Sequence, residues 1–191
     1  MNNVIIVGVL LGLTAVVSAV VLYFRRGSDI PSTSNQTKTS DNPYLGLRQM
    51  ALSTTAEALR IVASPETTTV YGVIMDLGMD QGIVTIVSFQ TGDASMYTST
   101  GGGMLGAGKN LDVSNAAKHF VDLSHQYLDK AKVSHSTELP KSGEVIFYLF
   151  TNQGTYELKE ALKSFDDKSS PLLNLFYEAN NLINELRLNS N

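Results

Sequence analysis

Apolar and polar positions divide the chain into three zones. Residues 4–24, VIIVGVLLGLTAVVSAVVLYF, are apolar or small without interruption and carry no charge. Residues 27–42, GSDIPSTSNQTKTSDN, are almost wholly polar. From residue 43 onward apolar residues recur at helical or strand spacing between short polar breaks.

The first zone predicts a membrane anchor. Twenty-one residues at 1.5 Å each span about 31 Å, enough for a hydrocarbon core. Tyr23 and Phe24 stand where an aromatic belt lies, and Arg25-Arg26 follows directly. A cleavable signal peptide would need a basic segment ahead of a shorter apolar core. Neither is present here. The basic pair on the C-terminal flank puts the N-terminus outside and the remaining residues in the cytoplasm. The Asn35-Gln36-Thr37 sequon matters only if that orientation is reversed. Within the anchor, Gly8, Gly12, Ala15 and Ala19 form a stripe of small residues, the spacing that lets two membrane helices approach closely. A homodimer through this stripe is one expected partner arrangement. The second zone cannot bury apolar surface and reads as a flexible tether of roughly 20–25 Å.

The third zone, residues 43–191, predicts one domain. Asn42-Pro43 signals a helix start, and Leu47, Met50, Ala51, Thr54, Ala58 and Ile61 recur at helical steps until Ser64-Pro65. Thr69–Met75, Ile83–Phe89 and Ala94–Thr100 read as three strands. Turns at residues 76–82 and at Gly92-Asp93 join them into an antiparallel meander. A helix follows with Val113, Ala116, Ala117, Phe120, Ser124, Tyr127, Leu128 and Ala131 on one face. Residues 144–150 are nearly unbroken apolar, which predicts a central strand covered on both sides. Thr155–Leu158 is a further strand, and a short helical stretch runs to about Phe165. Leu172, Leu175, Phe176, Ala179, Leu182, Ile183 and Leu186 mark a last helix after Ser170-Pro171. The expected fold is α+β: a five-stranded, mainly antiparallel sheet in the order α-β-β-β-α-β-β-α. By element order alone this resembles profilin-like, longin and roadblock modules. No sequence motif carries that resemblance.

Candidate chemistry concentrates in residues 101–110, GGGMLGAGKN. Gly103 to Asn110 matches the phosphate-binding P-loop pattern except that Asn110 replaces the final Ser or Thr, the hydroxyl that holds Mg²⁺. The parallel sheet and the later strand ending in Asp that such folds need are both missing from the pattern. A broader reading keeps Gly101, Gly102, Gly103, Gly106, Gly108, Lys109 and Asn110 as an anion cradle ahead of a helix N-terminus. The simpler reading is a sharp turn from strand to helix, and the sequence favours it.

Other chemistries fare worse. With no cysteine, disulfides and thiolate sites are excluded. Asp76, Asp80 and Asp93 read as turn residues that do not converge on a metal. His119 and His125, six apart on one helix, point about 240° apart. His135 has no visible partner. No nucleophile elbow is present, so no catalytic residues, cofactor or metal are assigned. From residue 42 onward 16 acidic residues outnumber 11 basic ones. That balance argues against nucleic acid and against an anionic lipid surface. The expected function is a membrane-anchored cytoplasmic interaction or scaffold domain for an unidentified protein partner. A sheet edge and the last helix are its expected contact surfaces. A ligand sensor using residues 101–109, and an enzyme of unrecognised type, are the alternatives.

Overall fold

A computed structural model describes residues 43–166 and 170–189. The anchor, its small-residue stripe (Gly8, Gly12, Ala15, Ala19) and the tether lie outside the described residues. Among the described residues no helix is long and apolar enough to cross a membrane.

The domain is α+β. Helix α1 (Pro43–Leu52) precedes strands β1 (Val70–Met79), β2 (Gly82–Phe89), β3 (Ala94–Thr98) and β4 (Gly103–Met104). Helix α2 (Leu111–Ser124) leads to β5 (Lys132–Val133), β6 (Glu144–Thr151), β7 (Gly154–Ala161) and helix α3 (Leu173–Leu188). The strands form one antiparallel sheet in the order β4-β3-β2-β1-β6-β7-β5. It has seven strands, not five. The two additional ones, β4 and β5, are two-residue edge strands, too short to show a period.

Both faces of the sheet are covered, so the central strands are apolar on both sides. On β6, residues Val145–Phe150 are all at most 2% exposed, as the unbroken run predicts. One face packs on α2 and α3. There Phe147 meets Phe120 of α2 edge-on at 6.4 Å, and the Ser88 hydroxyl donates to the Ala117 carbonyl at 2.8 Å. The α3 stripe from Leu172 to Leu186 is buried at every expected position. Phe176 on this helix stacks on Phe165 at 4.1 Å. The other face carries a second cluster, including Tyr44, Tyr71, Ile74, Val87, Tyr97, Ile146, Tyr148 and Phe150, roofed by α1 and the segment after it.

Several boundaries differ from the sequence expectation: α2 ends at Ser124, short of Ala131, β3 ends at Thr98 and β7 runs on to Ala161, and two further differences have a visible cause. Helix α1 stops at Leu52, not near Ile61, because the hydroxyls of Ser53 and Thr54 both donate back to the Met50 carbonyl and compete with helix continuation. Strand β1 runs on through Asp76 to Met79, and the turn shrinks to Asp80-Gln81. Asp76 is therefore a mid-strand residue, not a turn residue.

Candidate functional site

The register of the sheet lines up three polar side chains. Asp76 on β1 pairs with Thr85 on β2, and Thr85 pairs with Tyr97 on β3. Directly opposed residues share a face, here the α1 face. On α1, Tyr44, Arg48 and Ala51 are the buried residues, one helical stripe at steps of four and three. The helix thus lowers an arginine onto a buried aspartate. Arg48 donates to Asp76 Oδ2 from Nε at 2.9 Å and from Nη2 at 2.6 Å. Its Nη1 reaches the Thr137 carbonyl at 2.9 Å, and its guanidinium lies 5.6 Å from the Tyr148 ring centre. Thr85 donates to Asp76 Oδ1 at 2.5 Å. With its proton committed there, Thr85 accepts from the Tyr44 hydroxyl at 2.9 Å. Tyr148 donates to the Glu138 carbonyl at 2.7 Å.

The pair is closed to solvent: Arg48 is 5% and Asp76 0% exposed. Burial pushes the Asp76 carboxyl above its ordinary value, outweighing the pull of Arg48 and Thr85. Burial acts the opposite way on Arg48, but the hydrogen bond and charge of Asp76 outweigh it and raise the guanidinium. The two ends differ because the carboxylate is the more deeply enclosed. Burial, then the nearby Asp76 charge, raises Tyr44 to about 12. Burial likewise raises Tyr148 to about 12 and pushes Tyr97 up, whose buried hydroxyl has no hydrogen-bond partner among the described residues. These phenols stay neutral in the fold but ionise near 10 once unfolded. Their contribution to stability is complete below pH 10 and is lost as pH climbs toward about 12. Melting curves against pH should therefore fall steeply above pH 10, and less steeply in Tyr44→Phe. An identical slope in that variant would refute the assignment.

With no exposed polar atom at its centre, this network fastens a helix to a sheet. It presents no accessible base or nucleophile. Sequence reasoning missed it. The signal was an aspartate inside the apolar run VYGVIMDLGM, whose partner lies 28 positions away.

The glycine-rich segment forms one edge of the sheet, through β4. Gly101, Gly102, Gly103 and Gly106 all have positive φ, from 64° to 152°. Gly103 lies in β4 opposite Tyr97; a Cβ there would overlap the Met96 carbonyl oxygen and come within 2.7 Å of Tyr97 Cα. Several polar groups of the loop are already engaged. Gly101 N–H donates to the Thr98 carbonyl, and Thr98 N–H to the Gly102 carbonyl. Gly106 N–H donates to the Ser95 hydroxyl at 3.1 Å. Gly108 packs against Asp93. Asn110 is the N-cap of α2, its Oδ1 accepting from the N–H groups of Asp112 and Val113. Its Nδ2 donates to Asn189 Oδ1 at the end of α3 at 2.7 Å. Lys109 is exposed, in a 3-10 turn between β4 and α2. Asn110 thus stands where a P-loop keeps its hydroxyl, but it caps a helix. Gly103→Ala should cost about 1–3 kcal/mol by strain and overlap. Gly101→Ala, with open space around it, should cost less. Urea midpoints of the two variants measure the contrast, and equal losses would exclude the overlap.

The remaining expected residues are dispersed. Asp80 accepts from Ser142 at 2.5 Å, and Asp93 from Thr91 at 2.8 Å. His125 meets the Thr68 carbonyl at 3.0 Å, and His119 lies 3.7 Å from Glu178. Among the described residues no group of three His, Cys, Asp or Glu side chains could hold a metal.

The Asn110–Asn189 bond has a second consequence. The next residue after Asn110 is Leu111, 77% exposed, and the residue before Asn189 is Leu188, 74% exposed. Leu105, 57% exposed, lies in the loop just ahead. Exposed large apolar side chains on neighbouring elements are candidates for a contact surface. No protein-family model, no curated protein and no solved structure matches the chain.

Proposed function

We propose that this chain is a single-pass membrane protein that displays a cytoplasmic interaction domain and holds a protein partner at the membrane. The observation that carries this reading is a set of exposed leucines, Leu105 in the glycine loop and Leu111 and Leu188 next to the Asn110–Asn189 hydrogen bond that joins the start of α2 to the end of α3. The anchor and tether of the sequence supply the display. The enclosed Arg48–Asp76 pair and the loop hydrogen bonds favour this reading over catalysis or ligand sensing. The likeness to profilin, longin and roadblock modules is one of element order, and such sheets serve unrelated functions.

The test is crosslinking of the full chain in its own membrane, wild type against a Leu105→Asp/Leu111→Asp/Leu188→Asp variant. Exposed positions tolerate such changes within about 0.5 kcal/mol, so the fold is retained. A discrete crosslinked species lost in the variant is the expected result. An unchanged pattern would overturn the reading. Gly8→Leu/Gly12→Leu in the same experiment should remove a homodimer band if the anchor self-associates.

A further inference from the structure

Helix α1 has an inverted polarity. A surface helix ordinarily turns apolar residues to the core and charged ones to water. The sequence of α1, PYLGLRQMAL, holds one charged residue, Arg48, and it faces the sheet. The outward side carries Pro43, Leu45, Gly46, Gln49 and Met50, none of them charged. Leu45 is 51% and Met50 68% exposed. At about 100° per residue they stand about 140° apart, with Gly46 and Gln49 between them. The pattern continues past the helix. Ile61 packs on the same buried cluster as α1, while Val62 beside it is 99% exposed. Over residues 43–62 the only charges besides Arg48 are Glu57 and Arg60, one of each sign. Helix α1 cannot roll to hide Leu45 and Met50, because rolling would strip the buried Asp76 carboxylate of its counter-charge.

The chain ahead of α1 identifies what covers this side. The expected anchor ends at Arg25-Arg26, and the polar residues 27–42 join it to Pro43. As coil they reach roughly 20–25 Å, which keeps the start of α1 within range of the bilayer. Tethering holds the local concentration of lipid surface high, so a small apolar contact suffices. Charge selects the same side. From residue 42 onward acidic residues outnumber basic ones 16 to 11, a balance that anionic lipid repels. The roof formed by residues 43–62 has no such excess.

We propose that the outward side of α1, with Val62, docks by apolar contact on the interfacial layer of the bilayer that anchors the chain. This rests on the anchored reading above. It also orients the domain, turning α2 and α3, on the opposite face of the sheet, away from the lipid. The chain has no cysteine, so Gln49→Cys on α1 and Asn115→Cys on α2, both exposed positions, each take a single fluorophore. The full chain is reconstituted in phosphatidylcholine vesicles whose lipids carry a nitroxide quencher near the headgroup. Position 49 should be quenched several-fold more than position 115. The difference should survive high salt, since no charge attraction is involved, and dilution below one chain per vesicle. Leu45→Asp/Met50→Asp/Val62→Asp should lose the quenching at position 49 while its circular dichroism is kept. Equal quenching at the two positions, none at position 49, or unchanged quenching in the triple variant would each overturn the proposal. Loss in high salt would assign the contact to charge, and loss on dilution to a second copy; either overturns it too. Flotation with the vesicles reads the anchor separately. A chain that floats without quenching at position 49 removes the docking and keeps the anchor, and a chain that does not float removes both.

Discussion

Arg48→Ala should lower the stability of the domain by about 3–5 kcal/mol, because it leaves the Asp76 carboxylate buried without its counter-charge. The effect is large because Asp76 sits in mid-sheet, at 0% exposure. Water cannot replace the guanidinium without prising α1 away. The same removal takes a donor from the Thr137 carbonyl and from the Glu138 carbonyl. The loss has a pH signature. Burial already raises the Asp76 carboxyl, and without Arg48 it rises further. A carboxyl raised in the folded state binds its proton first as pH falls, so stability increases through that window. The deficit of Arg48→Ala should therefore shrink on acidification, where Asp76 turns neutral. Urea titrations followed by circular dichroism at neutral and acidic pH measure both parts. A deficit below about 1 kcal/mol, within the range of an exposed pair, would show that the pair is solvated. Arg48→Met/Asp76→Leu should recover much of the loss, since a matched apolar pair removes both desolvation costs.

Phe147→Ala should cost a similar amount, about 3–5 kcal/mol, for a different reason. Phe147 is fully buried on the central strand β6. It faces Met75 across β1 and Leu158 across β7, and its ring meets Phe120 of α2. Truncation opens a cavity bordered by three strands and a helix, and none of these can move in without breaking ladder hydrogen bonds. Phe147→Leu fills most of that space and should cost about 1.5 kcal/mol or less. For a domain with stability of about 5–15 kcal/mol, the alanine variant is close to the limit of folding. Similar urea midpoints for the two variants would show that the site can collapse.

These two positions illustrate what was readable in advance. Phe147 lies in EVIFYLF, and an unbroken apolar strand states its own burial. The α3 stripe is equally plain, since seven apolar residues at helical steps have one face to hide. Asp76 was not readable, because an aspartate near glycine favours a turn in local statistics. What keeps it in a strand is Arg48, a tertiary partner that no window of a dozen residues contains. The end of α1 failed similarly: apolar spacing continues to Ile61, but the hydroxyls of Ser53 and Thr54 end the helix first. The glycine loop was legible as a strand-to-helix turn, and Asn110 as an irregularity. Its capping role needed the geometry of Asp112, Val113 and Asn189. Strands β4 and β5 rest on pairing alone, with no pattern of their own.

The seat of α1 also sets an order of events during synthesis. Arg48 is bonded to carbonyls 89 and 90 positions downstream, and β1 finds its second neighbour only when β6 has been made. At about 5–20 residues per second, the ribosome needs several seconds to travel from one to the other. Over that interval β1 to β3 can pair as a hairpin ladder, but the inner edge of β1 stays open and Asp76 lacks the segment that closes over its arginine. The helix made first among the described elements is among the last to be seated. A nascent chain halted before residue 138 would therefore expose α1 to protease, and release past residue 151 would protect it.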